Sequence, residues 1–179
     1  MMLTLFTDAS LCGQTCAAGY GAWAKRDDMK AGETFGGEII ERVTSSSEAE
    51  LYAVAHALDL LHKKGLLHLP TKTVMVQSDS VRALQAILQC VPGASETRHR
   101  QSRLQGPLLP HRLKLNPIER GAIFIIQDAL RHVRPLVRHV KGHQQGDGRN
   151  WVNRECDRIA RQHMGNARAK RAAADEVRQ

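Results

Sequence analysis

The sequence is poor in aromatic residues and cysteines, and it lacks long apolar runs. Aromatic side chains make up 4% of its 179 residues, so a core must come mainly from aliphatic residues. No apolar run approaches the roughly 20 residues of a transmembrane helix, and no basic region precedes the short N-terminal apolar run, which excludes a signal peptide. We therefore expect a cytoplasmic domain whose four cysteines are reduced thiols.

Acidic residues are outnumbered by basic ones. The formal net charge is +8 and the pI is about 9.7, which suits a polyanionic partner. The excess lies in residues 91–116 and in the segment from Arg158 to the C-terminus. Basic loops and tails can also be merely solvated, but two such segments in one chain favour nucleic acid.

Three strands are predicted at the start of the chain. They cover residues 3–8, 19–24 and 34–43. The short links between them predict an antiparallel meander. Gly36-Gly37 indicates a bulge or a close approach of another backbone.

Helices dominate the middle of the chain. Apolar residues three and four apart predict a helix over residues 47–64, which Gly65 ends. A strand over residues 73–77 leads into a helix from Asp79 to about Cys90. The long crossover predicts that this strand pairs parallel to an earlier one.

The last third of the chain begins with Asn116-Pro117, an N-cap followed by the first residue of a helix that reaches about residue 133. A fifth strand over residues 136–140, a Gly-rich loop over 142–149 and a helix from Asn150 follow. This order predicts an α/β fold, a five-stranded mixed β-sheet flanked by helices.

One domain accounts for residues 1–165. Residues 91–116 lack periodicity and are interpreted as a basic excursion within this domain. Residues 166–179 are predicted to be a basic, disordered tail.

Asp8 ends one predicted strand, and Asp79 comes just after another. Asp8 also has the context of a turn-forming residue, and Asp79 could instead cap the helix that follows. Because sites in mixed α/β sheets assemble at the C-terminal ends of strands, a functional interpretation is favoured for both.

Glu50 and Asp157 lie on predicted helices. A capping box could use Glu50, but Ser45 and Glu48 form an equally good box, and a helix that starts there leaves Glu50 free. Asp157 lies within a helix, where aspartate is unfavourable. Its alternative role is an i,i+4 ion pair with Arg161.

All four acids are predicted at one edge of the sheet. Clustered carboxylates repel one another unless a cation neutralises them, and hard divalent cations such as Mg²⁺ take oxygen ligands. A metal-dependent phosphodiester enzyme is therefore the leading hypothesis. Cys12-x-x-x-Cys16 and His139-x-x-x-His143 have zinc-like spacing, but reduced cysteines are the better interpretation.

In their order along the chain, six short motifs resemble those of type 1 ribonuclease H. They are Phe6-Thr7-Asp8-x-Ser10-x-x-Gly13, Gly19-Tyr20-Gly21-Ala22, Glu50-Leu51, Asp79-Ser80, Lys141-Gly142-His143 and Asn153-x-x-Cys156-Asp157-x-Ile159-Ala160. Each motif is weak alone, but the ordered set covers nearly the whole chain and is specific. The resemblance implies an RNase H-like fold.

The resemblance also implies a mechanism. Two Mg²⁺ ions, with Mn²⁺ as a substitute, would be bound by Asp8, Glu50, Asp79 and Asp157. His143 would assist proton transfer or product release, its alternative being an exposed loop histidine. The implied activity is that of a monomeric endonuclease that cleaves the RNA strand of an RNA–DNA hybrid and leaves a 5′-phosphomonoester.

Departures from the family pattern concern substrate binding. Ser46-Ser47 replace the two asparagines that commonly precede the catalytic glutamate, and residues 91–116 carry no aromatic stacking residue. Serine can still hydrogen-bond a 2′-hydroxyl or a base edge. We assign substrate binding to hydroxyl groups and phosphate-binding cations: Ser10, Ser46, Ser47, Arg98, Arg100 and Arg103.

Two other functions are considered. A resolvase or exonuclease on the same fold is disfavoured by the Gly-His loop and the Asn-x-x-Cys-Asp motif. A non-catalytic nucleic-acid-binding module would keep the fold alone, and the presence of all four acids argues against it.

Overall fold

The computed structural model describes residues 1–97, 108, 112–140 and 151–176. A mixed sheet flanked by helices confirms the predicted fold class. The strands and helices in chain order are β1 (Met2–Cys12), β2 (Ala17–Arg26), β3 (Glu33–Ile39), α1 (Ser46–Lys63), β4 (Thr73–Ser78), α2 (Val81–Cys90), β5 (Ser95–Glu96), α3 (Pro117–Leu130), β6 (Arg134–His139) and α4 (Trp151–Glu176).

The sheet has the strand order β3-β2-β1-β4-β6-β5. Strands β1, β2 and β3 form the predicted antiparallel meander. Strand β4 pairs parallel to β1, and β6 pairs parallel to β4. The N-terminal strand is therefore interior to the sheet, and its Leu3 and Leu5 side chains are fully buried.

Strand β5 is one more than the five predicted strands. Its two residues, Ser95 and Glu96, pair parallel with Leu136 and Val137 of β6, and the amide of Thr97 donates to the Val137 carbonyl at 2.9 Å. The five-strand prediction is wrong because a two-residue edge strand is too short to show any periodicity.

Helices cover both faces of the sheet. Alternate residues of β2 point to opposite faces: Tyr20 stacks on His56 of α1, whereas Gly19 and Gly21 face α4. Helices α2 and α3 pack with α1. A single hydrophobic core among the described residues lies between these helices and the sheet, with Leu51, Leu58, Leu84 and Ile126 among its buried side chains.

Helix α4 lies unusually close to the sheet. A Cβ atom at Gly21 would overlap the backbone of Cys156, and one at Gly19 would overlap the backbone of Ala160 and Met164. Because glycine has no Cβ atom, Gly19 and Gly21 allow α4 to pack directly on β2. The motif Gly19-Tyr20-Gly21 fixes the depth at which the helix carrying Asp157 sits.

The C-terminal segment is helical where a disordered tail was expected. Helix α4 continues through Glu176. Ala167 is buried, Lys170 Nζ lies 2.7 Å from Glu38 Oε1, and Arg171 donates to the Thr15 carbonyl at 2.8 Å. These contacts place residues 167–171 of α4 against β3 and the β1–β2 hairpin.

Some sequence predictions fall outside the described residues. They concern the loop 142–149, most of the basic excursion, and residues 177–179. Among the described helices, none is long and apolar enough to cross a membrane.

Candidate active site

Three of the four predicted acids meet at the sheet edge. Asp8 lies on β1, Glu50 on α1, and Asp79 directly after β4. The parallel pairing of Phe6 with Gln77 puts Asp8 and Asp79, each two residues further on, at the same level of neighbouring strands. One carboxylate oxygen from each of the three acids lies within 4.8 Å of the others.

Neither Glu50 nor Asp79 is needed to cap a helix. Ser45 is the N-cap of α1 and forms a capping box with Glu48. Ser80 is the N-cap of α2, and its side chain accepts from the amide of Ala83 at 3.3 Å. The local alternatives for the two acids are thereby excluded, and both carboxylates are available to the cluster.

Within the cluster, the pKa of the Glu50 carboxyl is clearly raised. Burial, and then the negative charges of Asp8 and Asp79, raise the pKa of the Glu50 carboxyl well above its usual value. Its Oε1 accepts from the Ala9 amide at 3.3 Å. Its Oε2 is buried and has no hydrogen-bond partner within the described part of the chain.

These features fit a bound divalent cation. All three donors are carboxylates, the ligand type that hard cations prefer. A cation would offset the mutual repulsion of the three carboxylates, and the unpartnered Glu50 oxygen could coordinate it. Asp8, Glu50 and Asp79 can therefore hold such an ion.

Asp157 lies beside the cluster without joining it. Asp8 pairs with Gly21 across β1 and β2, and Gly21 packs against the backbone of Cys156. Burial, then the charge of Asp8, raises the pKa of the Cys156 thiol to about 12. The Asp157 carboxylate, however, is bonded to Arg161 Nε at 2.9 Å, the alternative considered from the sequence.

The predicted substrate-binding residues are only partly described. Ser10 is half-buried on β1, and Ser46 and Ser47 begin α1, four and three residues before Glu50. His143 and the three arginines, Arg98, Arg100 and Arg103, lie outside the described residues.

His139 is a neighbour of the site that the sequence did not reveal. It ends β6 opposite Ser78, and its Nε2 lies 3.2 Å from the carbonyl oxygen of Asp79. The sequence offered only its zinc-like spacing to His143, for which zinc binding was the disfavoured interpretation. Its position beside Asp79 depends on the β4–β6 pairing, which local spacing does not show.

The comparisons with known proteins agree with this geometry. The RNase H family model matches residues 1–165, whereas no curated protein matches the chain in sequence. Among solved structures, the chain is similar to RNase H1 from the halophilic archaeon Halobacterium salinarum NRC-1, with 15% identity and a TM-score of 0.61. The match covers 93% of this chain and 100% of that one.

Two further structures show the same fold. One is the N-terminal RNase H domain of a Mycobacterium tuberculosis protein, solved as a fusion with maltose-binding protein: 17% identity, TM-score 0.62, 94% of this chain and 97% of that one. The other is LC11-RNase H1 in complex with an RNA/DNA hybrid: 19% identity, TM-score 0.59, 92% of this chain and 98% of that one.

Proposed function

Because the chain belongs to the RNase H family, we propose that this nuclease is a metal-dependent endoribonuclease that cleaves the RNA strand of RNA–DNA hybrids. The observation that carries the proposal is the group of Asp8, Glu50 and Asp79, whose carboxylate oxygens lie within 4.8 Å of one another. The hybrid bound to the similar LC11-RNase H1 suggests the substrate. Action as a cytoplasmic monomer is part of the same proposal.

The proposed metal ligands are the four acids predicted from the sequence. Asp8, Glu50 and Asp79 would hold Mg²⁺ or Mn²⁺ directly, and Asp157 would join them once its carboxylate leaves Arg161. Two bound ions would supply an activated water and stabilise the departing 3′-oxygen, which leaves a 5′-phosphate.

The remaining roles belong to substrate contacts. Ser10, Ser46 and Ser47 would hydrogen-bond the 2′-hydroxyls or base edges that distinguish a hybrid from duplex DNA. The basic excursion would hold phosphates through charge. Helix α1 carries both substrate-binding and metal-binding groups, because Ser46 and Ser47 lie in its first turn and Glu50 follows in the same helix.

Cleavage of matched substrates tests the proposal. End-labelled RNA–DNA hybrid, duplex DNA, duplex RNA and a four-way junction of related sequence are incubated with and without Mg²⁺, and EDTA is added to a parallel reaction. We expect internal cuts in the RNA strand of the hybrid alone, abolished by EDTA. Cleavage of the junction, or end-directed digestion of DNA, would identify another nuclease, and binding without cleavage would identify a non-catalytic module.

His143→Ala should lower turnover by roughly 10²-fold, the lower end for general acid–base assistance. Residual cleavage should still require metal, since the carboxylate site would remain. The measurement is kcat at saturating Mg²⁺, with His132→Ala, an exposed histidine after α3, as the control. Full activity of the His143 variant would make this histidine a solvated loop residue.

Replacing Arg98, Arg100 and Arg103 with alanine should raise KM and flatten its salt dependence, with kcat little changed. Each lost phosphate contact removes about one unit from the slope of log KM against log salt concentration. Alanine at Arg120 and Arg131, exposed on and after α3, provides the control. An unchanged salt slope in the triple variant would show that the excursion does not touch substrate.

A further inference from the structure

The first turns of α1, α2 and α3 are joined by one hydrogen-bonded network. Its members come from three separate segments of the chain and are all polar or charged: Glu48, Arg82, Asn116 and Glu119. We call these four residues the helix-start network. None of them belongs to the carboxylate cluster.

Glu48 and Asn116 join α1 to α3. The Asn116 side-chain amide donates to Glu48 Oε1 at 2.7 Å. The other Glu48 oxygen accepts from the backbone amide of Thr44 at 2.6 Å and from that of Ser45 at 3.3 Å. Glu48 is buried, so its carboxylate is held from both sides, by its own helix start and by the start of α3.

Glu119 and Arg82 join α3 to α2. Arg82 binds Glu119 through two parallel hydrogen bonds, Nε to Oε1 at 2.6 Å and a terminal nitrogen to Oε2 at 3.0 Å. Glu119 is only 2% exposed, and its Oε2 also accepts a hydrogen bond from the backbone amide of Asn116 at 2.9 Å. A two-bond arginine–carboxylate pair fixes orientation as well as distance.

Hydrogen bonds offset the burial of the two carboxylates in the helix-start network. Burial raises the pKa of the Glu48 and Glu119 carboxyls, but hydrogen bonds from Thr44 and Asn116 to Glu48, and from Arg82 to Glu119, outweigh it and lower both pKa values. The network contrasts with Glu50, whose pKa is raised.

The helix-start network lies close to the carboxylate cluster along both α1 and α2. Glu48 precedes Glu50 by two residues on α1, and Arg82 follows Asp79 by three residues at the start of α2. Three carboxylates within 4.8 Å repel one another. Flexible helix starts would let Glu50 and Asp79 move apart, whereas fixed starts keep their oxygens close enough to share a cation.

We propose that Glu48, Arg82, Asn116 and Glu119 are positioning residues that hold Glu50 and Asp79 at the separation a divalent cation requires, an inference that rests on the proposed function. They act through the starts of α1 and α2, with α3 as the bridge between them. Their loss should therefore weaken metal binding more than it weakens hybrid binding.

Two conservative variants test the network without removing a helix cap. Asn116→Ser keeps a good N-cap residue but loses the amide that reaches Glu48. Arg82→Lys keeps the charge beside Glu119 but loses the paired geometry. Arg26→Lys is the control, because Arg26 makes a similar two-bond pair with Asp28 at the end of β2 away from the cluster.

Metal binding is measured on substrate-free protein by titration with Mn²⁺, with free Mn²⁺ followed by electron paramagnetic resonance, at a temperature well below each variant's Tm. We expect the dissociation constant to rise about tenfold in Asn116→Ser and Arg82→Lys, as for loss of a supporting contact around a metal site. It should stay unchanged in Arg26→Lys. In cleavage assays, the metal concentration for half-maximal rate should rise in parallel, with KM for hybrid unchanged.

A fall in Tm without any change in the Mn²⁺ dissociation constant would overturn the inference and leave the network a purely structural device. An equal rise in KM for hybrid and in the metal requirement would also overturn it, because the effect would not be specific to the cluster. Failure of the wild-type protein to bind Mn²⁺ and to cleave hybrid would instead reject the proposed function.

Discussion

Asp8→Asn should abolish metal-dependent cleavage of hybrid while leaving the fold intact. The Asp8 carboxylate is the cluster member that lies within strand β1, and replacing it with a neutral amide removes an anionic ligand. Metal sites supply several kcal/mol of transition-state stabilisation, so we expect kcat to fall by roughly 10³-fold or more. Rates are compared at saturating Mg²⁺ with Asp59→Asn, which removes a half-buried carboxylate paired with Lys63 on α1, away from the cluster.

Stability provides the second measurement on the same variant. A carboxyl whose pKa is raised in the folded protein destabilises it as the pH rises from the ordinary glutamate pKa through the raised value. Because the charge of Asp8 contributes to the raised pKa of Glu50, Asp8→Asn should lessen this loss. Its metal-free Tm at neutral pH should equal or exceed that of the wild type. Cleavage at the wild-type rate would rule out the site.

Gly21→Ala should be the most damaging single-methyl change on the sheet. The added Cβ would overlap the backbone of Cys156. Because the atoms in contact are backbone atoms of β2 and α4, no side-chain rotation can relieve the overlap. Overpacking of this kind costs about 1–3 kcal/mol, measurable as a lower midpoint in urea. Cleavage should fall too, because α4 must lift and take Asp157 away from Asp8.

Gly165→Ala is the matched control for that variant. Gly165 lies within α4 and has nothing within 4 Å of the position that a Cβ would occupy. Alanine there should stabilise the protein by up to about 1 kcal/mol, the difference in helix propensity. A Gly21 variant as stable and active as the wild type would show that the helix does not need this close approach.

The sequence predicted the elements that local patterns specify. Apolar spacing identified α1, and the alternative capping box at Ser45 allowed Glu50 to be free, as the structure shows. The convergence of Asp8 and Asp79 is predicted from their places at the ends of two strands, and the parallel β1–β4 pairing brings them together, although β1 continues past Asp8 to Cys12. The resemblance to the RNase H family is confirmed.

What the sequence did not show depends on long-range contacts. Arg82 and Glu119 are 37 positions apart, and no local pattern pairs them. The partners of Lys170 and Arg171, which are Glu38 on β3 and Thr15 in the β1–β2 turn, are likewise more than 100 positions away in the sequence. For Asp157, the spacing allowed either an ion pair or a metal ligand, and only side-chain placement shows the bond to Arg161.

The interior position of β1 has a consequence for synthesis on the ribosome. Its second partner, β4, lies far downstream of the β1–β2 hairpin and ends at Ser78. At translation rates of roughly 5–20 residues per second, β1 waits roughly 3–13 s for β4 to be synthesised. Leu3 and Leu5 are then exposed to chaperones or to neighbouring nascent chains. Expression yield should therefore respond more to chaperone supply and growth temperature than the stability of the finished protein would suggest.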